Sequence, residues 1–288
     1  MPAIGRHVSR LSGYAPALPT PFDAEETIDA PAFERLCDLQ LANGATALVV
    51  CGTTGEAPTL SPEEHKTLIR IAVRQARGRI PVVAGAGGNA TAHAIELTRD
   101  AEAAGADAVL SVVPYYNKPT QLGLYAHFRA IAESTGLPVI LYDVPSRTAC
   151  SLADETIARL AEIPNIVGLK DAAGDPTRPV RLRPLVGTNF RLLSGDDALA
   201  LAYLAHGGDG CISVTAALFR ETNPVPVKHA LALLGLIFPK VRLPMVGLGE
   251  RSYAELKQVL FRMCDEYSEY VIGSTMTDYA AADRSATG

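Results

Sequence analysis

An amine, a phenol and a guanidinium each stand at or just after a run of apolar residues. Lys170 closes "IVGLK", Tyr142 lies in "LPVILYDVP", and Arg147 follows in "PSRT". Lysine rarely ends up buried, so its place in an apolar run calls for a reason. Desolvation disfavours an ammonium, and a neutral amine can attack a carbonyl to form a Schiff base. A phenol nearby can give and take protons. An arginine fork can hold a substrate carboxylate. Plainer readings stand beside these: Lys170 paired with Asp171 or Asp196, and Arg147 paired with Asp143 or Asp175.

Other segments offer weaker chemistry. "CGTTGE" (51–56) places backbone N–H groups and the hydroxyls of Thr53 and Thr54 around a small concavity, which suits a carboxylate or phosphate or is simply a tight turn. "PYYNKP" (114–119) carries adjacent Tyr115 and Tyr116, of which at most one should face inward. In "SGDD" (194–197), Gly195 would let the chain approach a ligand closely.

These residues need elements to position them. Eight β-type runs alternate with helical patterns, at 14–22, 45–52, 80–87, 107–116, 137–145, 166–172, 190–197 and 209–216. Most are near-continuous Val/Ile/Leu, as strands buried on both faces should be. Between them, "SPEEHKTLIRIAVRQARG" begins with Ser61 as N-cap, Pro62 at the first helical position and Glu64 closing a capping box. "NATAHAIELTRDAEAAG" and "TQLGLYAHFRAIAESTG" follow the same plan. The pattern predicts an α/β fold, a (β/α)8 TIM barrel, whose active site lies where strands end and βα loops begin. A doubly wound sheet is the structural alternative, but it normally has fewer strands and a glycine-rich turn after the first.

Composition narrows the partners. The 288 residues carry a formal net charge of −5 with no basic cluster, which argues against nucleic acid and anionic membranes. No apolar stretch reaches the roughly 20 residues of a membrane helix, and the first residues do not resemble a signal peptide. The five cysteines are scattered without a CxxC and read as reduced thiols in a cytoplasmic protein. Cys51 and Cys211 read as small buried hydrophobes. The six histidines are isolated, so no metal site is expected. Cofactor-free, lysine-dependent carbon–carbon bond chemistry is what remains.

"GTTGE", "PYYNKP", "YDVPSRT", "GLKDAAG", "SGDD" and "GCISVTA", in that order, resemble the dihydrodipicolinate synthase / N-acetylneuraminate lyase family of class I pyruvate aldolases. The resemblance spans about residues 14–216 and resumes over "NPVPVKHALALLGL" and "VRLPM". The "SRT" arginine points to the synthase branch. The resemblance implies a Schiff base between pyruvate and Lys170, with no cofactor. It implies that Thr53 and Thr54 bind the pyruvate carboxylate, with Gly195 and Ile212 beside them. Tyr142 would be the general acid/base, relayed through Thr53 to Tyr116, which reaches in from a neighbouring subunit. Arg147 would bind the carboxylate of L-aspartate 4-semialdehyde, opening the diaminopimelate route to lysine. A homo-oligomer, a dimer or dimer of dimers, is implied. The feedback site would comprise Ala57, His65, Asn89, His93 and Tyr115. Sensitive members carry glutamate at the place of His93, so feedback by lysine should be weak or absent. Alternative readings are an aldolase for a sugar-derived keto acid and an inactive remnant.

The remnant reading has a basis. After "ISVTA" the family pattern resumes almost at once, and some forty residues are missing, including the eighth barrel helix. Residues 217–222 can form at most about one and a half helical turns. The expected organisation is a shortened barrel over 1–220, then a C-terminal helical segment over 221–288 with a mobile tail from 277. Between 249 and 273, Tyr253, Leu256, Leu260, Met263, Tyr267 and Tyr270 form an amphipathic stripe. That helix would either fill the gap, pack on a partner, or close the C-terminal segment in the ordinary way.

Overall fold

The computed structural model describes residues 11–213 and 221–266. Eight strands form one parallel sheet: β1 (Gly13–Pro16), β2 (Leu48–Val50), β3 (Val82–Gly85), β4 (Ala108–Val112), β5 (Val139–Asp143), β6 (Ile166–Asp171), β7 (Arg191–Ser194) and β8 (Gly210–Ser213). Their order, β1-β8-β7-β6-β5-β4-β3-β2, is a ring opened at one place. A parallel bridge between Ala17 and Val49 closes it, with Leu18 N donating to Val49 O and Thr46 N donating to Tyr14 O, both at 2.9 Å. The doubly wound alternative is thereby excluded. The first run proved shorter than predicted. Prolines 16, 19 and 21 each lack the N–H a ladder needs, so β1 stops at Pro16.

Alternation divides the strand side chains between two cores. Ala15, Val49, Val83, Leu110, Ile140, Val167, Leu193 and Ile212 fill the barrel interior. Leu48, Val50, Val82, Val109, Leu141, Ile166, Leu169 and Leu192 face the surrounding helices. Such two-sided burial explains the continuous apolar runs.

The helices are α1 (Ala30–Ala42), α2 (Pro62–Ala76), α3 (Thr91–Ala103), α4 (Gln121–Glu133), the short α5 (Pro145–Thr148), α6 (Asp154–Ala161), α7 (Arg178–Val186), α8 (Ala200–Ala205), α9 (Val225–Leu233) and α10 (Glu250–Glu266). The capping box of α2 is formed: Glu64 N donates to Ser61 Oγ at 3.3 Å and Ser61 N to Glu64 Oε2 at 2.8 Å. Thr120 caps α4 through the amide of Gly123, whereas Ala90 before α3 supplies no side-chain cap. Cys37, Cys51 and Cys211 are buried, and burial pushes the Cys37 thiol up to about 12.

Among the described residues no helix stands between β8 and α9. The segment after the gap instead docks on the barrel. Leu231, Leu236 and Ile237 pack against Ala32 and Leu36 of α1. Helix α10 buries Leu256 against Ala230 of α9, with Leu260 and Val227 beside them. These contacts of α10 are with the C-terminal segment itself. Tyr267, Tyr270 and the tail from 277 lie outside the described residues.

Candidate functional site

A cleft of about 700 Å3 opens at the C-terminal ends of the strands. Lys170, Tyr142, Thr53, Thr54, Arg147 and Gly195 line it, brought together from β6, β5, the β2 turn, α5 and the β7 loop. Tyr142 and Lys170 are paired residues on adjacent strands. Lys170 Nζ lies 4.3 Å above the centroid of the Tyr142 ring.

A local irregularity of β6 turns Lys170 inward. Ile166, which faces the helices, pairs with Val139, but the next rung joins Ile140 to Gly168 and leaves Val167 unpaired. The extra residue reverses the alternation, because a one-residue slip sends every later side chain to the other face. Without it Lys170 would share the outward face of Ile166. Glycine is required at position 168, where a Cβ would come within 2.7 Å of the Arg191 carbonyl. Gly195 makes room for the lysine stem: a Cβ there would stand 3.1 Å from Lys170 Cε.

Lys170 is buried and has no carboxylate partner among the described residues. Asp171 and Asp196 are occupied elsewhere, Asp171 by Arg178 and Asp196 by the amide of Ala198. Arg147 is exposed on α5 and likewise makes no ion pair among the described residues. The carboxylates that could have neutralised it, Asp143 and Asp175, are taken by Arg178 and Arg181. An unneutralised amine and guanidinium therefore share one cleft with the hydroxyls of Thr53 and Thr54. Such a site can bind anions and hold an amine against an electrophilic carbon.

Tyr116 stands apart. It is 89% exposed, with a left-handed φ of 74°, and does not line the cleft. No hydrogen bond joins Tyr142, Thr53 and Tyr116 among the described residues. Ile212 lies in the barrel interior below the cleft. Ala57, His65, His93 and Tyr115 line the cleft wall, whereas Asn89 does not. His65 Nε2 meets the Gly85 carbonyl at 2.7 Å, and burial pulls its imidazole pKa down. His93 is exposed and 3.7 Å from Glu96.

The segment after the gap supplies residues that the sequence reading missed. Asn223 lines the cleft, and its Nδ2 donates to Thr54 Oγ1 at 3.0 Å. That bond occupies the hydroxyl as an acceptor and leaves its proton free to point elsewhere. Glu56 sits in the left-handed region with φ 55° and is buried. Its carboxylate accepts from Lys228 Nζ at 2.7 Å and from the Arg242 amide at 3.0 Å. Lys228 is wholly buried, 4.3 Å from the Phe22 ring centroid. Burial pulls its pKa down to about 8, with Glu56 acting in the opposite sense. Only the match of "NPVPVK" could have drawn attention to these side chains.

A family model described as the dihydrodipicolinate synthetase family matches residues 10–219. The 4-hydroxy-tetrahydrodipicolinate synthase of Nitrosococcus oceani is 47% identical over 278 residues, covering 85% of this chain and 95% of the relative. Its counterpart in Pseudomonas aeruginosa is 44% identical over 284 residues, 87% of this chain and 97% of the relative. Among solved structures, the chloride-inhibited dihydrodipicolinate synthase from Acinetobacter baumannii, complexed with pyruvate, is 42% identical with a TM-score of 0.85. It covers 87% of this chain and 98% of that one. A monomeric dihydrodipicolinate synthase variant superposes equally well, with a TM-score of 0.85, 38% identity and coverage of 88% and 97%. The first alignment runs over 278 positions, while 85% of 288 residues is about 245, so on balance about 33 positions of the relative lack a counterpart in this chain.

Proposed function

The chain belongs to the dihydrodipicolinate synthetase family, and from that premise we infer that it is a 4-hydroxy-tetrahydrodipicolinate synthase, a lyase of lysine and diaminopimelate biosynthesis. The observation that carries the inference is Lys170, a buried lysine with no carboxylate partner among the described residues, held over Tyr142 in a cleft with two threonine hydroxyls and Arg147. In the proposed reaction the Lys170 amine attacks the keto carbon of pyruvate, and water leaves as the imine forms. Loss of a methyl proton gives an enamine, for which the protonated imine is the electron sink. The enamine carbon attacks the aldehyde carbon of L-aspartate 4-semialdehyde, and Tyr142 moves protons to and from the reacting atoms. The substrate's amine then displaces Lys170 and closes the ring.

On this reading Thr53 and Thr54 hold the pyruvate carboxylate, with Gly195 and Ile212 shaping the floor, and Arg147 holds the carboxylate of the aldehyde. The enzyme needs no metal or organic cofactor and works in the cytoplasm on small molecules. On this reading the chain divides into a barrel unit, 1–220, and a C-terminal unit, 221–288, whose described residues brace the β2 turn. The exposed Tyr116 would complete a relay in a second copy, so a homo-oligomer is the working form. With His93 where sensitive members carry glutamate, lysine at millimolar concentration should inhibit weakly, and His93→Glu should strengthen inhibition in a steady-state assay.

Borohydride reduction in the presence of pyruvate, followed by intact-protein mass measurement, tests the chemistry. Covalent capture that disappears in Lys170→Ala is expected. Folded protein that captures nothing would favour the inactive remnant. Turnover with a sugar-derived aldehyde in preference to aspartate semialdehyde would favour the other aldolase branch.

A further inference from the structure

The residues that follow Tyr142 and Lys170 are both aspartates, Asp143 and Asp171, and they form the next rung of the β5–β6 ladder. Alternation sends them outward as the reacting side chains turn inward. Both are buried beneath the helices, at 0% and 4% exposure. Two adjacent carboxylates in such a place are costly unless neutralised.

One guanidinium serves both. Arg178, in the first turn of α7 and itself buried, donates from Nη1 to Asp143 Oδ2 at 2.9 Å and to Asp171 Oδ1 at 3.3 Å. Its Nε donates to Asp154 Oδ1 at 2.9 Å, and its Nη2 to the Leu152 carbonyl at 2.5 Å. The Tyr203 hydroxyl donates to the second oxygen of Asp171 at 3.3 Å, and the Leu152 amide to Asp143 at 3.3 Å. The planar fork thus ties the ends of two strands, the loop at 152 and the start of α6 to one point. No atom of Arg178 enters the cleft. Two of its three carboxylate partners, Asp143 and Asp171, are each one residue from a side chain that does.

We infer that Arg178 is a positioning residue: by gripping Asp143 and Asp171 from outside the barrel, it holds Lys170 and Tyr142 in register for imine formation. This rests on the Schiff-base reading above. A displacement of about 1 Å at a reacting group can cost on the order of 100-fold in rate. The β2 turn with Thr53 and Thr54 is not tied to Arg178, so pyruvate binding should largely survive its loss.

The test compares wild type, Arg178→Met, Arg178→Lys and Asp143→Asn in the full chain. It reads the rate of pyruvate capture by borohydride, the steady-state kcat and KM, and near-UV circular dichroism. Arg178→Met is expected to slow capture at saturating pyruvate on the order of 100-fold, with KM for pyruvate changing less than about 3-fold. Arg178→Lys should recover part of the rate, and Asp143→Asn should reproduce the defect in milder form. If Arg178→Met fails to fold, Asp143→Asn decides the matter by the same split. Capture at the wild-type rate by a folded variant overturns the positioning role alone. Absence of capture by wild type overturns the Schiff-base reading and this role with it.

Discussion

Two seams of the barrel are built to different standards. Between β5 and β6 the strands share five paired positions, and Arg178 clamps the ends of both. Between β8 and β1 there are four paired positions, and no described helix follows β8 before α9. Tyr14, on the outer face of β1 there, is 46% exposed. The closure beyond it, from β1 to β2, rests on one bridge and its flanking hydrogen bonds. The seam that carries the cleft amine and phenol is over-determined, whereas the β8–β1 seam, with no described helix before α9, carries none of the amine, phenol or guanidinium. Loss of the helix after β6 would have removed Arg178 and with it the clamp.

The largest effect that could break this contrast concerns chemistry. Lys170→Ala should lower kcat/KM for pyruvate by at least about 1,000-fold with the fold retained, as removal of a covalent nucleophile does. Ile212→Ala on β8 should cost far less, and steady-state kinetics on both variants measures the difference. Equal losses would mean that the weak seam is as critical as the strong one.

Next comes the brace supplied from beyond the gap. Lys228→Met leaves Glu56 buried without its partner and should destabilise by about 3–5 kcal/mol in urea unfolding. Replacing both members with apolar residues should cost less. If Lys228→Met is neutral, the C-terminal segment does not support the β2 turn.

Packing should separate the seams more gently. Leu169→Ala on β6 opens a cavity in the outer core and should cost about 2–5 kcal/mol. Tyr14→Ser should cost under about 1 kcal/mol, because much of that side chain already meets water. Paired denaturant titrations decide it.

The remaining effect is a pH dependence on the well-built side. Burial pushes the His127 imidazole down to about 4 from the usual 6.5. As pH falls below 6.5 the unfolded chain takes up a proton that the folded chain refuses, so stability declines until about pH 4. His127→Asn should flatten that slope in unfolding measurements across the window. An unchanged slope would assign acid sensitivity to other groups, such as the buried His65, whose pKa is also depressed by burial.

The barrel was legible because eight buried parallel strands leave eight apolar runs, and the residues ending those runs named the cleft. What escaped was set by contacts across long stretches of chain. The unpaired Val167 cannot be read from "IVGLK", since apolar residues suit both faces of a barrel strand, yet it turns Lys170 inward. Arg178 lies in "DPTRPVRLR", which reads as a solvated surface, and its partners are set by the β5–β6 register. Asn223 and Lys228 looked like parts of a matched segment with no stated purpose. Their partners, Thr54 and Glu56, lie 169 and 172 residues upstream.

That last separation bears on how the molecule is made. During synthesis Glu56 emerges early, and its counter-ion follows only after another 172 residues. Until then its carboxylate must stay hydrated, because burying it alone would cost several kcal/mol. The turn carrying Thr53 and Thr54 is thus finished only when the last part of the polypeptide arrives. A nascent barrel ending near residue 222 would contain every strand and the lysine, but would lack the partners of Thr54 and Glu56 in that turn. Closure of that turn around its full set of partners thus waits until translation has run past Arg242.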